Sequence, residues 1–330
     1  MKKRKFLLFT ALMLVLSMVL AACGGGSDEK GGEDKSGEKP KFMSILTGGT
    51  GGTYFPLGGA FANIVSEATG IDTNAETTGA SAENMQSIKD NKGEIAFTQT
   101  DIASYATEGK LMFDGNAIDN IKAIGTLYPE TIQIVTTEKS GIKTVEDLKG
   151  KKVSIGAPGS GTAANAEQIL EAYGLTLDDI KKQDLSFDES VSGIKDGNID
   201  AAFVTAGHPT AAVEELSATD KVVIVPVDAD KADKLIEKYP YYTKEEVPSG
   251  TYKIGSAVPT VAVQAMLVVK AELSDEVVYD ITKAIFENLD KVQHAKAKQI
   301  KPENALNGVG IDVHPGAQKY FDEKGIKAAE

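Results

Sequence analysis

A short stretch of this 330-residue chain returns farther along it, and the spacing of the two copies constrains the fold more than any single motif. Ile88-Lys89-Asp90 recurs as Ile194-Lys195-Asp196, and Glu94-Ile95-Ala96-Phe97 as Asp200-Ala201-Ala202-Phe203, both at an offset of 106 residues (194 − 88 and 200 − 94). Each copy reads as a helix end, a glycine-containing turn and a strand. At nearly the same offset, the glycine loop from Gly48 to Tyr54 is matched by Gly156 to Thr162. Loops and strands that match at one spacing point to two lobes of similar topology.

Around these copies, short apolar runs bounded by Gly or Pro alternate with helical patterns. Strands are expected at Phe42–Leu46, Ile95–Gln99, Ile121–Tyr128, Val153–Gly156, Ala201–Thr205 and Val222–Val227. A helix is expected at Leu57–Thr69, with Phe61, Ile64, Val65 and Ala68 on one face and Gly70 as its stop. Others are expected around Met85 and Ile88, capped by Ser81, and at Ala163–Tyr173 and Asp188–Asp196. Strands that alternate with helices form parallel sheets, so the fold class is α/β. Ligands of open α/β sheets lie beyond the carboxyl ends of the strands. Two such lobes facing one another would enclose a cleft.

The amino-terminal segment reads as a processing signal. Lys2, Lys3, Arg4 and Lys5 precede a run from Phe6 to Leu20 whose only polar members are Thr10 and Ser17, and Ala21-Ala22-Cys23 follow. This is the pattern of a secretory signal peptide over residues 1–22. Leu20-Ala21-Ala22-Cys23 resembles a bacterial lipobox, which implies lipid attachment at Cys23. The alternative is an ordinary signal peptide with an incidental cysteine, but Cys23 is the only cysteine in the chain. Residues 23–40 contain no large apolar side chain and are rich in Gly and charge, so a disordered tether is expected there.

The full chain carries a net charge of −13; without the four basic residues of the signal, 48 acids face 31 bases, giving −17. A field of that sign argues against nucleic acid as a partner. Arg4 is the only arginine, so the body from Lys41 onward has none.

The glycine loops carry the chemistry. The first, Thr47-Gly-Gly-Thr-Gly-Gly-Thr-Tyr54, lies between a strand and a helix and offers Gly51, Thr53 and Tyr54 as ligand contacts. Glycines let backbone N–H groups approach a ligand, and the following helix start favours an anion. The Lys-Ser/Thr ending of a P-loop is missing. The second loop, Gly156-Ala-Pro-Gly159-Ser160-Gly161-Thr162, fits the dinucleotide spacing only with Ala164 in third place. No acid follows at the right distance. An anion held by Ser160, Gly161 and Thr162 is the better reading, and no cofactor is expected. Tyr54 could stack on a ligand or pack in the core. Ser81 and Asn84 could touch ligand or only cap a helix. Gln99, Tyr128 and Thr205 fall at strand ends facing the expected cleft. His208 could be a pH-sensitive ligand contact or a surface residue before Pro209.

These residues bring a family resemblance. Tyr54-Phe-Pro-Leu-Gly58, Thr78-Gly-Ala-Ser-Ala-Glu-Asn84, Leu127-Tyr-Pro-Glu130, Phe203-Val-Thr-Ala-Gly207, Gly250-Thr-Tyr252 and Val258-Pro-Thr-Val-Ala-Val263, with both glycine loops, resemble the TAXI family of solute receptors of TRAP transporters. The resemblance runs in order along the whole body. It implies a two-lobed type II periplasmic-binding-protein fold with parallel-rich sheets, a hinge and a central cleft. It also implies a glutamate- or glutamine-like amino acid or carboxylate as ligand, TRAP membrane subunits as partners, and location on the outer face of a bacterial membrane. The expected division is residues 41–130 plus 256–330 for one lobe and 131–255 for the other, with crossings near Tyr128–Thr137 and Ala262–Lys270. A monomer is expected.

Without arginine the body cannot clamp a carboxylate with a guanidinium fork. Helix starts, hydroxyls, lysine or histidine must meet the charge, which also suits a neutral amide or a zwitterion. Enzyme readings find little: there is no G-x-S-x-G elbow, and the three histidines lack zinc-ligand spacing, so no catalytic or metal residues are expected. Two alternatives to the TRAP reading remain, the receptor of an ATP-driven importer with the same fold and an extracytoplasmic hydrolase.

Overall fold

The computed structural model describes residues 39–329. The expected signal sequence, Cys23 and the tether as far as residue 38 lie outside the described residues. The body opens with a βαβαβ unit made of β1 (Phe42–Leu46), α1 (Tyr54–Thr69), β2 (Asp72–Glu76), α2 (Ser81–Lys89) and β3 (Ile95–Gln99). Helix α3 (Thr100–Glu108) and the long strand β4 (Ile121–Thr137) follow. A second βαβαβ unit comprises β5 (Lys152–Ser154), α4 (Gly161–Ala172), β6 (Lys181–Gln183), α5 (Phe187–Lys195) and β7 (Ala201–Ala206). Then come α6 (Ala211–Thr219), β8 (Val222–Val225), α7 (Ala229–Lys238), β9 (Thr243–Val247), β10 (Val258–Lys270), α8 (Asp275–Glu287) and α9 (Pro315–Glu323).

In the first unit β1 pairs in parallel with β2 and β3, and in the second β5 pairs in parallel with β6 and β7. The strand orders β2-β1-β3 and β6-β5-β7 are therefore the same, so the repeat in sequence is a repeat of topology. Strands β4 and β10 run antiparallel and join the two units into one ten-stranded sheet. One stretch of β4 pairs with β10, and from Thr131 onward it pairs with β7 and then β8. β10 likewise pairs first with β9 and then with β3. The expected crossings are thus strand interiors, and β4 continues nine residues past Tyr128 to Thr137. Pro129 does not end it. The ladder slips register between the pairs Pro129–Gln264 and Thr126–Met266, and such an irregularity tolerates a residue without an N–H.

Each half of the sheet is covered on both faces. Apolar residues of α1, α8 and α9 pack on one face of the first half, and those of α2 and α3 on the other. In the second half α4 and α7 cover one face, α5 and α6 the other. Helix α1 buries Leu57, Phe61, Ile64 and Val65 at helical spacing, while Ala68 is exposed. It begins at Tyr54, three residues before the expected start, because Pro56 sits comfortably in a first turn. Phe61 stacks on Phe97 with ring centroids 5.8 Å apart, and Tyr54 lies 4.9 Å from the same ring. No helix among the described residues is long and apolar enough to cross a membrane.

Phe97 holds α1 to the middle of the first half-sheet, so Phe97→Ala should lower stability by roughly 3–5 kcal/mol. A urea titration followed by circular dichroism should show the midpoint fall accordingly; a midpoint within error of the parent would refute this assignment of the core.

Candidate functional site

Strand carboxyl ends and helix starts of both units converge on one cavity. Its wall comprises Gly48, Gly49 and Gly52–Tyr54 of the first glycine loop, residues Thr78–Ser81, Gln99, Glu130, Ala157, Ser160–Thr162, Ser186, Phe187, Thr205 and Ala206. It offers about 70 Å³ of room for the centres of water-sized atoms. Gln99 ends β3 and Thr205 lies near the end of β7, the positions the repeat makes equivalent.

The two units meet around this cavity through polar groups. The carbonyl of Gly159 accepts the N–H of Ala82 (2.9 Å) and of Glu83 (3.0 Å). The first turn of α2 is therefore capped from the opposite unit. Ser81 is its first helical residue, not its cap, and the N-cap residue Ala80 makes no side-chain bond. The N–H of Gly207 donates to Thr53 Oγ1 (3.1 Å), and that hydroxyl donates to Gly207 O (3.3 Å). Asp188 Oδ2 accepts from the N–H of Gly51 (3.0 Å) and the hydroxyl of Thr50 (2.9 Å). Glycine is needed where these surfaces touch. A Cβ at Gly161 would overlap Gln99 Oε1, and one at Gly79 would overlap Pro158 O.

Eight of the twelve residues expected to bind ligand line the cavity: Thr53, Tyr54, Ser81, Gln99, Ser160, Gly161, Thr162 and Thr205. Ser160 also caps α4, accepting from the N–H of Ala163 (3.2 Å), which leaves its own proton to donate. Tyr54 serves both expected roles. Its ring packs on Phe97 while its hydroxyl donates to Glu130 Oε2 at 2.6 Å. Gln99 donates to Asn165 Oδ1 (3.2 Å), but its Oε1 has no partner, and neither has Thr205 Oγ1. Both residues are buried. Unpaired buried polar atoms cost free energy, so two of them in one wall mark a place where a ligand would supply partners.

The other four expected residues do not line the cavity. The N–H of Gly51 is taken by Asp188 and its carbonyl accepts from Ala212 (3.2 Å). Asn84 is buried behind the wall, where its amide donates to Thr47 O (2.7 Å) and Phe97 O (2.8 Å) and its carbonyl oxygen accepts from Thr78 (2.7 Å). Its role is to tie the first glycine loop to β3. Tyr128 is buried with an unpartnered hydroxyl. His208 is half-buried, and burial first, with Lys296 second, lowers its pKa to about 4. It stays neutral across the range in which the expected pH-sensitive contact would have to titrate.

Glu130 is the principal residue that the expected set lacks. It sits in β4, 2% exposed, and lines the cavity. Burial raises its pKa to about 8, against the opposing hydrogen bond from Tyr54. Asp101, just behind at the start of α3, is raised to about 7 by burial and accepts from Asn165 (3.1 Å). The signal in sequence is an acid two residues before the β-branched stretch Ile132-Gln-Ile-Val135.

The protonation of these acids has a stability consequence. Both have folded pKa values above the usual carboxylate range, so their contribution is full at acid pH and is lost as pH rises through about 7 and 8. The histidines, whose pKa values are lowered from 6.5, act in the opposite sense only below that value. Between about pH 6.5 and 8 the urea midpoint should therefore fall, by up to about 1.4 kcal/mol per pH unit for each proton taken up on folding. Glu130→Gln should flatten that slope; an unchanged slope would show that Glu130 does not titrate there.

Comparison with known proteins places this architecture. A protein from Bordetella bronchiseptica RB50 is 17% identical, with 86% of this chain and 82% of that one covered and a TM-score of 0.55. A structure described as a periplasmic transporter is 14% identical, covering 86% and 92%, with a TM-score of 0.52. PhnD1 from Prochlorococcus marinus, solved with methylphosphonate, is 12% identical, covering 79% and 89%, with a TM-score of 0.51. The fold is that of periplasmic binding proteins, as expected from the sequence. Residues 45–325 match the NMT1-like family over most of the chain, and the chain belongs to that family.

Proposed function

We propose that this chain is an extracytoplasmic receptor that holds a small carboxylate or amino acid between two lobes and presents it to a membrane importer. The observation that carries the reading is the cavity itself. Helix starts and strand ends of two like units face one another there, with buried oxygens of Gln99 and Thr205 unpartnered. In this reading the lobes are residues 41–130 plus 256–330 and 131–255, which exchange chain through β4 and β10. Lipid on Cys23 would hold the body at the outer face of a membrane.

The importer is a separate question. TAXI receptors serve permeases driven by ion gradients, and the motif resemblance supports that partner. The matching NMT1-like family model names no importer, and the fold is shared with receptors of ATP-driven importers. An ATP-driven partner is at least as well supported. Affinity purification of the lipidated protein from membranes separates the two, since only one of them brings an ATPase subunit with it.

Calorimetric titration with glutamate, glutamine and 2-oxoglutarate tests the solute class, and no heat with any of them would sink it. Tyr54→Phe removes the donor to Glu130 and should weaken binding roughly 10–100-fold. Ser160→Ala, which loses a cavity hydroxyl and a helix cap, should also weaken it. If both variants bind like the parent, the cavity is not the site.

A further inference from the structure

The cavity has two chemically different ends. On one side lie the starts of α1 and α4, helices of 16 and 12 residues. The first turn of each has N–H groups without an intrahelical acceptor, and the N-cap Thr53 makes no side-chain cap, its hydroxyl being engaged with Gly207. These starts suit one carboxylate. On the other side lie acceptors. Gln99 pairs with Ala265 and Glu130 with Val263, two residues apart on β10, so the two side chains flank the same face of that strand. Tyr54 donates to Oε2 of Glu130, no hydrogen bond to Oε1 is found among the described residues, and Gln99 lies beside the same carboxyl group. Gln99 Oε1 and Thr205 Oγ1 are buried and unpartnered beside it.

Among the described residues no Lys, Arg or His lines the cavity, and Glu130 is its only carboxyl group. Lys296 is near enough to act on Glu130, but its Nζ donates to Gln299 Oε1 (3.0 Å) and it is not part of the wall. A dicarboxylate would bring two negative charges to a wall with no cationic side chain. A zwitterion brings one carboxylate for the helix starts and one ammonium for the acceptors.

We infer that the solute is an α-amino acid with an uncharged side chain, and that Glu130, with Gln99 and Thr205, receives its ammonium group. The proposal rests on the receptor reading above and narrows it. It makes Glu130 the residue that separates amino acids from the matching acids without the amine. Burial keeps the Glu130 carboxyl protonated near neutral pH, so an arriving ammonium should displace a proton from it. Of its other titratable neighbours, Tyr54 and Tyr128 are held in their neutral forms by burial, while Asp101 and Lys296 are raised and lowered to about 7 and about 8.

The test is calorimetry at about pH 7 with L-glutamine, L-glutamate, glutarate and glutaramate (glutamine without its amine), in buffers of different ionisation heat. Glutamine should bind most tightly, with up to about one proton released, and glutaramate roughly 10–100-fold more weakly. Glu130→Gln should erase that difference and the proton release together. Glutaramate or glutarate binding as tightly as glutamine in the parent overturns the inference while leaving a receptor for carboxylates. That comparison needs no variant, so it stands even if Glu130→Gln folds poorly. Failure of every probe to bind removes the receptor reading and this inference with it.

Discussion

The pairing of β4 with β10 is the constraint on which the rest of the structure depends. These two strands run through both halves of the sheet, and each changes neighbours on the way. β4 leaves β10 for β7 at Thr131, and β10 leaves β9 for β4 at Ala262, opposite the same residue. Register slips just before it on β4, between Thr126 and Pro129, and Pro129 has no N–H to give to the ladder. A sheet is most easily twisted where its ladder is interrupted. Glu130 occupies this stretch, so the group that faces the cavity and the place where the halves could pivot are neighbours in the backbone. A ligand bound to Glu130, as proposed, would act directly on the joint.

Most of the contacts that hold the halves together around the cavity are polar. Gly159 with Ala82 and Glu83, Thr53 with Gly207, and Asp188 with Thr50 and Gly51 are all hydrogen bonds near loops. Each contributes only about 0.5–1.5 kcal/mol net, because water can replace either partner. Most large apolar side chains lie in clusters within one half, and one smaller contact crosses, where Tyr241 packs edge-on against Tyr105 at 5.6 Å. Such an arrangement lets the halves separate at modest cost, and a ligand touching both would shift the balance toward contact. The tight glycines fit this account. Gly79 and Gly161 lie where the opposing backbone or side chain leaves no space for a Cβ, so closeness is built in with little adhesive apolar surface.

Much of this was legible because periodicity and punctuation are local. β1 and β3 fall at the residues their apolar runs indicate, and the repeat announced two units of one topology. Gln99, Thr205 and the residues of the second glycine loop could be placed at the cavity because strand ends face it in this fold class. What failed was set by distant partners. Asp72–Glu76 forms edge strand β2 although only Thr73 is buried, so no apolar alternation betrays it. Ser81 looked like a cap, but the real cap is the carbonyl of Gly159, which only the tertiary fold brings near. Asn84 and Gly51 have the right chemistry, yet Thr47, Phe97 and Asp188 claim their polar groups. Glu130 lies past the expected strand end at Tyr128, and the strand continues through Pro129 because that residue falls at the register slip.

Charge ties the site to the rest of the molecule. The chain carries −13 overall, and its only arginine is Arg4. An acidic surface slows the approach of multiply charged anions and does little to a zwitterion. The cavity wall repeats that preference at short range, where the dielectric is low and an uncompensated charge costs most. Its only ionisable groups are Glu130 and Tyr54, bonded to one another, and burial holds both in their neutral forms. A wall that is neutral by itself can turn anionic only when a cation arrives. On the proposed reading the site would admit positive charge on its acceptor side and rely on backbone N–H groups for negative charge, a way for a body without arginine to recognise an acid.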